Sequence, residues 1–242
     1  MEKQFLVLKI GDLGFRTKEL ESGRIISLKY RSTWKIAALD TLVFDVEKEW
    51  SFKNTTYASG KMISSRLLLE NIDVPPLEYE KIEKNTYEFL DYTGYGFYGE
   101  DSDPVYESTE MDSKKGYDYL AKLWEEYPQC IDALVHMGNH FFSSGPLFGF
   151  RSAYNYYKGA VYIAEQNMPM IKNAKFPWIL LNNRPYLRAL HCLCLADWKL
   201  GNFEQAESTA RKLLKLNPND NQGVRFIVNQ IHNREVYTPE EY

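Results

Sequence analysis

The spacing of hydrophobic positions changes partway along the chain. Up to residue 77 the apolar runs are short and rich in β-formers. Phe5-Leu6-Val7-Leu8-Lys9-Ile10 stops at Gly11-Asp12, and Ile25 to Tyr30 follows Gly23. Leu42-Val43-Phe44-Asp45-Val46-Glu47 begins apolar and ends in alternation, and Lys61 to Leu69 is entered through Ser59-Gly60. Polar and glycine clusters such as Ser51 to Thr56 separate these runs. Four or five short strands, with Trp34 and Trp50 among them, predict a small twisted barrel or half-barrel over 1–77. Pro75-Pro76 closes the region, because proline offers no amide to a ladder.

From residue 113 onward the period is helical. Tyr117, Leu120, Leu123 and Trp124 share one face and stop before Pro128. Further helices are predicted at about 131–142, 151–165, 185–200, 203–216 and 221–233, with Pro185 in a favourable first turn. The fold class is therefore α+β: a small N-terminal β-barrel-like domain followed by a short α-helical hairpin array over 113–242.

Residues 78–112 between them differ in composition. They hold eleven acidic and two basic residues, a net −9; with −4 for the whole chain, the remainder carries +5. Tyr79, Tyr87, Tyr92, Tyr95, Tyr98 and Tyr106 lie among the carboxylates, and Gly94, Gly96 and Gly99 interrupt any regular helix. The segment reads as an acidic, Tyr-rich linker. Its charge also suits self-docking on the basic half of the chain.

The helical half carries a repeat. Gly201-Asn202-Phe203-Glu204-Gln205-Ala206 joins two helices, and Pro218 ends the second. Leu190, Leu193, Gly201, Ala206, Ala210, Leu213 and Pro218 resemble the tetratricopeptide repeat (TPR). Gly201 suits a tight turn, and Ala206 and Ala210 allow helices to approach closely. A second copy runs through Leu134, Met137, Gly138, Phe141 and Gly145, then Ala153, Tyr157 and Ala160. Pro128 and Pro218 stand 90 residues apart, whereas two repeats would span about 68. The excess of about 22 lies mainly in an insert near 166–184, with three residues in the loop 144–149. That insert carries Phe176-Pro177-Trp178 and Asn182-Asn183-Arg184-Pro185-Tyr186. The resemblance covers about half the chain, whose overall pattern looks like that of cytoplasmic bacterial proteins with such repeats.

The resemblance implies a peptide-binding groove lined by the first helix of each hairpin. On this chain it places Asp132, Val135, Asn139 and Phe142 in the groove, then Arg188, His191, Leu195, Trp198 and Lys199, then Gln222, Arg225 and Asn229. Arg188, Lys199 and Arg225 are suited to carboxylates, and Phe142 and Trp198 to apolar anchoring. The expected function is a non-enzymatic interaction or adaptor module for a protein or peptide partner of acidic character. The subgroup of the family that clamps a terminal carboxylate is excluded. It wants Lys where this chain has Val135 and a second Asn where it has Leu195; Asn139 alone fits.

Two other functional classes have residues in their favour. Lys29, Tyr30, Arg31, Trp34 and Lys35 mix basic and aromatic groups as single-strand binders do, so a nucleic-acid-binding β domain with a recruiting helical half is the alternative. The acidic balance and the lack of a signature make nucleic acid the less favoured partner. His136 and His140 stand four apart, with His191, Cys192 and Cys194 further on, as a metal-dependent enzyme would use. No paired-cysteine or His-Glu-x-x-His spacing accompanies them, and they read as structural. Neither a nucleophile turn nor a phosphate loop is present. No catalytic residue, metal or cofactor is therefore expected. Three cysteines, an odd number, suit a reducing compartment. With neither a leader-like region nor an apolar stretch of membrane-spanning length, the expected location is cytoplasmic, away from membranes.

Overall fold

The computed structural model describes residues 1–11, 14–30, 36–90, 103–143, 149–168 and 173–238. Strands β1 (Glu2–Gly11), β2 (Gly14–Glu19), β3 (Ile25–Lys29), β4 (Asp40–Phe52) and β5 (Thr55–Leu67) form a closed barrel in the order β1-β2-β3-β5-β4. The β3–β5 pairing is parallel and the other pairings are antiparallel. Phe5, Val7, Phe15, Ile26, Leu28, Leu42, Phe44 and Ala58 fill the interior. Strand β2 was not among the expected elements. It buries Phe15, Thr17 and Glu19 and turns Arg16 and Lys18 outward, so two polar residues on the inner face hide the usual alternation.

Glu19 is accommodated because the inner end of the barrel supplies its counter-charges. Lys3 lies 2.6 Å and Arg24 2.9 Å from its carboxylate, and Ser22 donates to it as well. Burial pushes the carboxyl up, but the hydrogen bonds from Lys3, Ser22 and Arg24 outweigh it and hold the group down at about 2.

Helices α1 (Pro104–Thr109), α2 (Ser113–Glu126), α3 (Ile131–Phe142), α4 (Phe150–Glu165), α5 (Arg184–Lys199), α6 (Phe203–Leu216) and α7 (Val224–His232) make up the second half. None among the described residues is long and apolar enough to cross a membrane. α3 pairs with α4 and α5 with α6 as hairpins. Gly138 lets the first hairpin close, since a Cβ there would lie 2.4 Å from Cε1 of Tyr157. Gly201 turns the second at φ +76°, a left-handed value that glycine adopts without strain. Ala206 and Ala210 are fully buried against α5, where the Cys194 thiol approaches the Ala206 carbonyl at 3.3 Å.

The two halves share a core. β1 is buried on both faces: Phe5 and Val7 point into the barrel, while Leu6 and Leu8 join Tyr117 and Trp124 of the helical core. This explains why β1 reads as a continuous apolar run. Polar atoms at the seam are paired. Asp40, fully buried, accepts from Arg151 at 2.8 Å, Asn155 at 3.1 Å and the Ala37 amide at 3.0 Å, and Ser65 also donates to it. Tyr156 donates to the Leu8 carbonyl at 3.2 Å, and its oxygen meets that of Tyr117 at 2.9 Å. The Ile10 amide donates to Tyr117 at 3.1 Å.

The segment 78–112 contributes a hairpin of β6 (Tyr79–Glu83) and β7 (Thr86–Phe89), then α1. Its residues Tyr92, Tyr95 and Tyr98, with Gly94, Gly96 and Gly99, lie outside the described residues. β7 packs on the inserted stretch before α5. The Tyr87 amide donates to Lys175 at 2.9 Å, and Phe176, fully buried, stacks on Tyr87 and touches Phe89 and Tyr186. The Phe176 amide in turn donates to the Leu216 carbonyl at the end of α6. Phe176 is thus core, and it ties β7 to the second helical hairpin.

Candidate interaction groove

α3 and α5 lie side by side and run in the same direction. Three contacts mark their register. Arg188 makes a two-pronged ion pair with Asp132, Cys192 approaches the side-chain oxygen of Asn139 at 3.8 Å, and Lys199 donates to the Phe142 carbonyl at 2.7 Å. Parallel first helices side by side create a shared face, on which Asn139 is exposed and Phe142, Cys192, Leu195 and Lys199 are half-buried.

The candidate residues occupy this face unequally. The side-chain oxygen of Asn139 accepts from the Tyr157 hydroxyl at 2.9 Å, which fixes its amide. Phe142 packs against Phe150 and Tyr157, and the Lys199 ammonium sits 4.7 Å from its ring centre. Burial lowers the Lys199 pKa. His191 is half-buried, and burial holds its pKa below the usual imidazole value against the opposing pull of Asp220. Trp198 is nearly fully buried. Arg225 turns back on its own helix start, donating to Asp220 at 2.9 Å and to the Pro218 carbonyl at 3.1 Å. Asn229 is exposed on α7.

All three candidate cations therefore already hold an acceptor within the chain. Asp132, the partner of Arg188, is only 1% exposed, so that ion pair is part of the packing between α3 and α5. The apolar anchors are engaged differently, by the stretch that follows α7. Trp198 donates through its indole N–H to the Glu235 carbonyl at 2.7 Å. Tyr237 meets the Trp198 ring edge-on at 5.3 Å between centres and the Phe142 ring at 6.2 Å. Residues 235–238 form neither helix nor strand. Sequence reasoning missed Tyr237 and Glu235. The available signal was an aromatic residue placed just beyond the last periodic helix, where solvation alone would favour a polar one.

The other candidate chemistry sits elsewhere. His140 stacks on Tyr117 and shares a 2.7 Å contact with the Ser113 hydroxyl. Cys192 and Cys194 are pushed up to about 12 by burial. Among the described residues, no group of three or more His, Cys, Asp or Glu is placed to hold a metal ion. On the barrel, Arg31, Trp34 and Lys35 lie outside the described residues. Lys29 lies 5.1 Å from the ring centre of Tyr57, which stacks on Trp50 at 5.7 Å, and Lys48 caps Trp50 at 5.6 Å.

No protein-family model matches the chain, and no curated protein sequence matches it.

Proposed function

We propose that the chain is a non-enzymatic interaction module whose α3–α5 face takes an extended protein segment, in the manner its TPR-like repeat implies. The carrying observation is the seat between Phe142 and Trp198, where an aromatic ring and a backbone carbonyl from an irregular stretch are both held. An indole N–H to a main-chain carbonyl reads backbone, and ring edges read an aromatic side chain. The engaged state of Arg188, Lys199 and Arg225 moves the weight of recognition from charge to aromatic anchoring. Peptides selected from a random display library on the Tyr237→Ala chain test this. They should share an aromatic residue and should lose binding when Phe142→Ala is added. Selected peptides indifferent to Phe142→Ala would reject the groove.

A second reading has its own observation. The Trp50–Tyr57 stack flanked by Lys29 and Lys48 is an exposed-edge platform of the kind on which unpaired bases stack. A single-stranded oligonucleotide should then bind in a salt-dependent manner and be lost in Trp50→Ala. Absence of any shift at low salt would remove this reading.

A further inference from the structure

We infer that residues 235–238 are a built-in ligand of the α3–α5 groove, which a partner segment of like chemistry must displace. The inference rests on the proposed groove reading and specifies its regulation and the partner's chemistry.

Three features of the stretch distinguish a tethered ligand from ordinary packing. The first is how it is delivered. Arg234 adopts φ +58°, a left-handed conformation uncommon for a residue that carries a Cβ, and this ends α7 and redirects the chain toward α5. The turn is closed by amides of Asn233, Arg234 and Glu235 donating to carbonyls of Asn229, Ile231 and Gln230. The second is how little of it is buried. Trp198 donates to the Glu235 carbonyl, yet Glu235, Val236 and Thr238 are exposed, Val236 at 81%. A helix or strand packed for stability would bury alternate or every third or fourth side chain; here Tyr237 alone supplies the ring contacts.

The third is composition. Glu235-Val236-Tyr237-Thr238-Pro239-Glu240-Glu241-Tyr242 carries three carboxylates and no basic residue. It resembles in chemistry the acidic segment with an aromatic anchor that the groove would take from another protein. A ligand joined to its site by a short link sees it at an effective concentration of about millimolar, so a free competitor must overcome that advantage. The partner is then a segment presenting a tyrosine-like ring with its preceding backbone extended and carboxylates nearby.

The test uses a fluorescent synthetic peptide with the sequence of residues 233–242 and three proteins: the full chain, the full chain with Tyr237→Ala, and a chain ending at Arg234. Anisotropy should show the peptide binding both opened proteins, with binding to the unaltered chain at least about tenfold weaker. Adding Phe142→Ala to Tyr237→Ala should abolish the binding. Equal affinity for all three proteins would overturn the inference while leaving the groove reading standing. No binding to any of them would overturn both. If the shortened chain does not fold, Tyr237→Ala carries the comparison by itself.

Discussion

Two of the seams that the helical half makes with chain outside its own hairpins are built on opposite principles. Against the barrel, Asp40 and the Tyr117–Tyr156 pair are buried with their polar atoms paired. Against residues 235–238, the contact is made around an indole hydrogen bond and ring edges, and Glu235, Val236 and Thr238 are exposed. A buried carboxylate with several donors cannot leave its site without stranding charge, so that seam opens only when the protein unfolds. A half-exposed tyrosine leaves at small cost. The first contact belongs to the architecture, and the second is available for exchange.

The largest test of that contrast is Asp40→Ala. It leaves Arg151, Asn155, Ser65 and the Ala37 amide without their shared acceptor. A loss of about 3–5 kcal/mol is expected in urea denaturation, with the barrel and helices unfolding less cooperatively.

Glu19→Gln probes a closed polar cluster that lies away from both seams. The folded carboxyl sits at about 2 against an ordinary 4.5. Its contribution is therefore fully present above about pH 4.5 and is lost as pH falls through about 2. The shift corresponds to roughly 3 kcal/mol. The variant should be destabilised by about that amount at neutral pH, and this part of the acid-induced stability loss should disappear from its pH titration.

Smaller effects follow at the edges of the comparison. Tyr156→Phe removes the donor to the Leu8 carbonyl within the barrel seam, and a loss of about 1–2 kcal/mol is expected by thermal or urea denaturation. Tyr237→Ala should cost less than about 1 kcal/mol, since surface changes away from buried networks stay small. A cost for Tyr237→Ala as large as that for Asp40→Ala would erase the contrast between the seams.

The division into strands and helices was legible because each half keeps its own hydrophobic period. β2 escaped because Thr17 and Glu19 occupy inward positions, where a polar residue reads as outward until its partners Lys3 and Arg24 are known. The 90-residue interval between Pro128 and Pro218 pointed to extra chain between the two hairpins, but spacing could not show that Phe176 enters the core beside Tyr87. The groove residues were placed on α3, α5 and α7 by repeat position. That Arg188 is committed to Asp132 depends on the helix register, which no local pattern encodes. Tyr237 was missed for a related reason: an aromatic residue beyond the last periodic helix stands out, but its partners are set only when the chain reverses at Arg234.

The Asp40 cluster also sets a timetable for synthesis. Arg151 lies 111 residues beyond Asp40 in the chain. At ribosomal speeds of about 5–20 residues per second, the interval between making the two is on the order of 5–20 seconds. For the part of it that precedes α2, a nascent barrel presents the outer face of β1, with Leu6 and Leu8, uncovered. The N-terminal half is thus born with a sticky flank, and α2 and then α4 act as its cover.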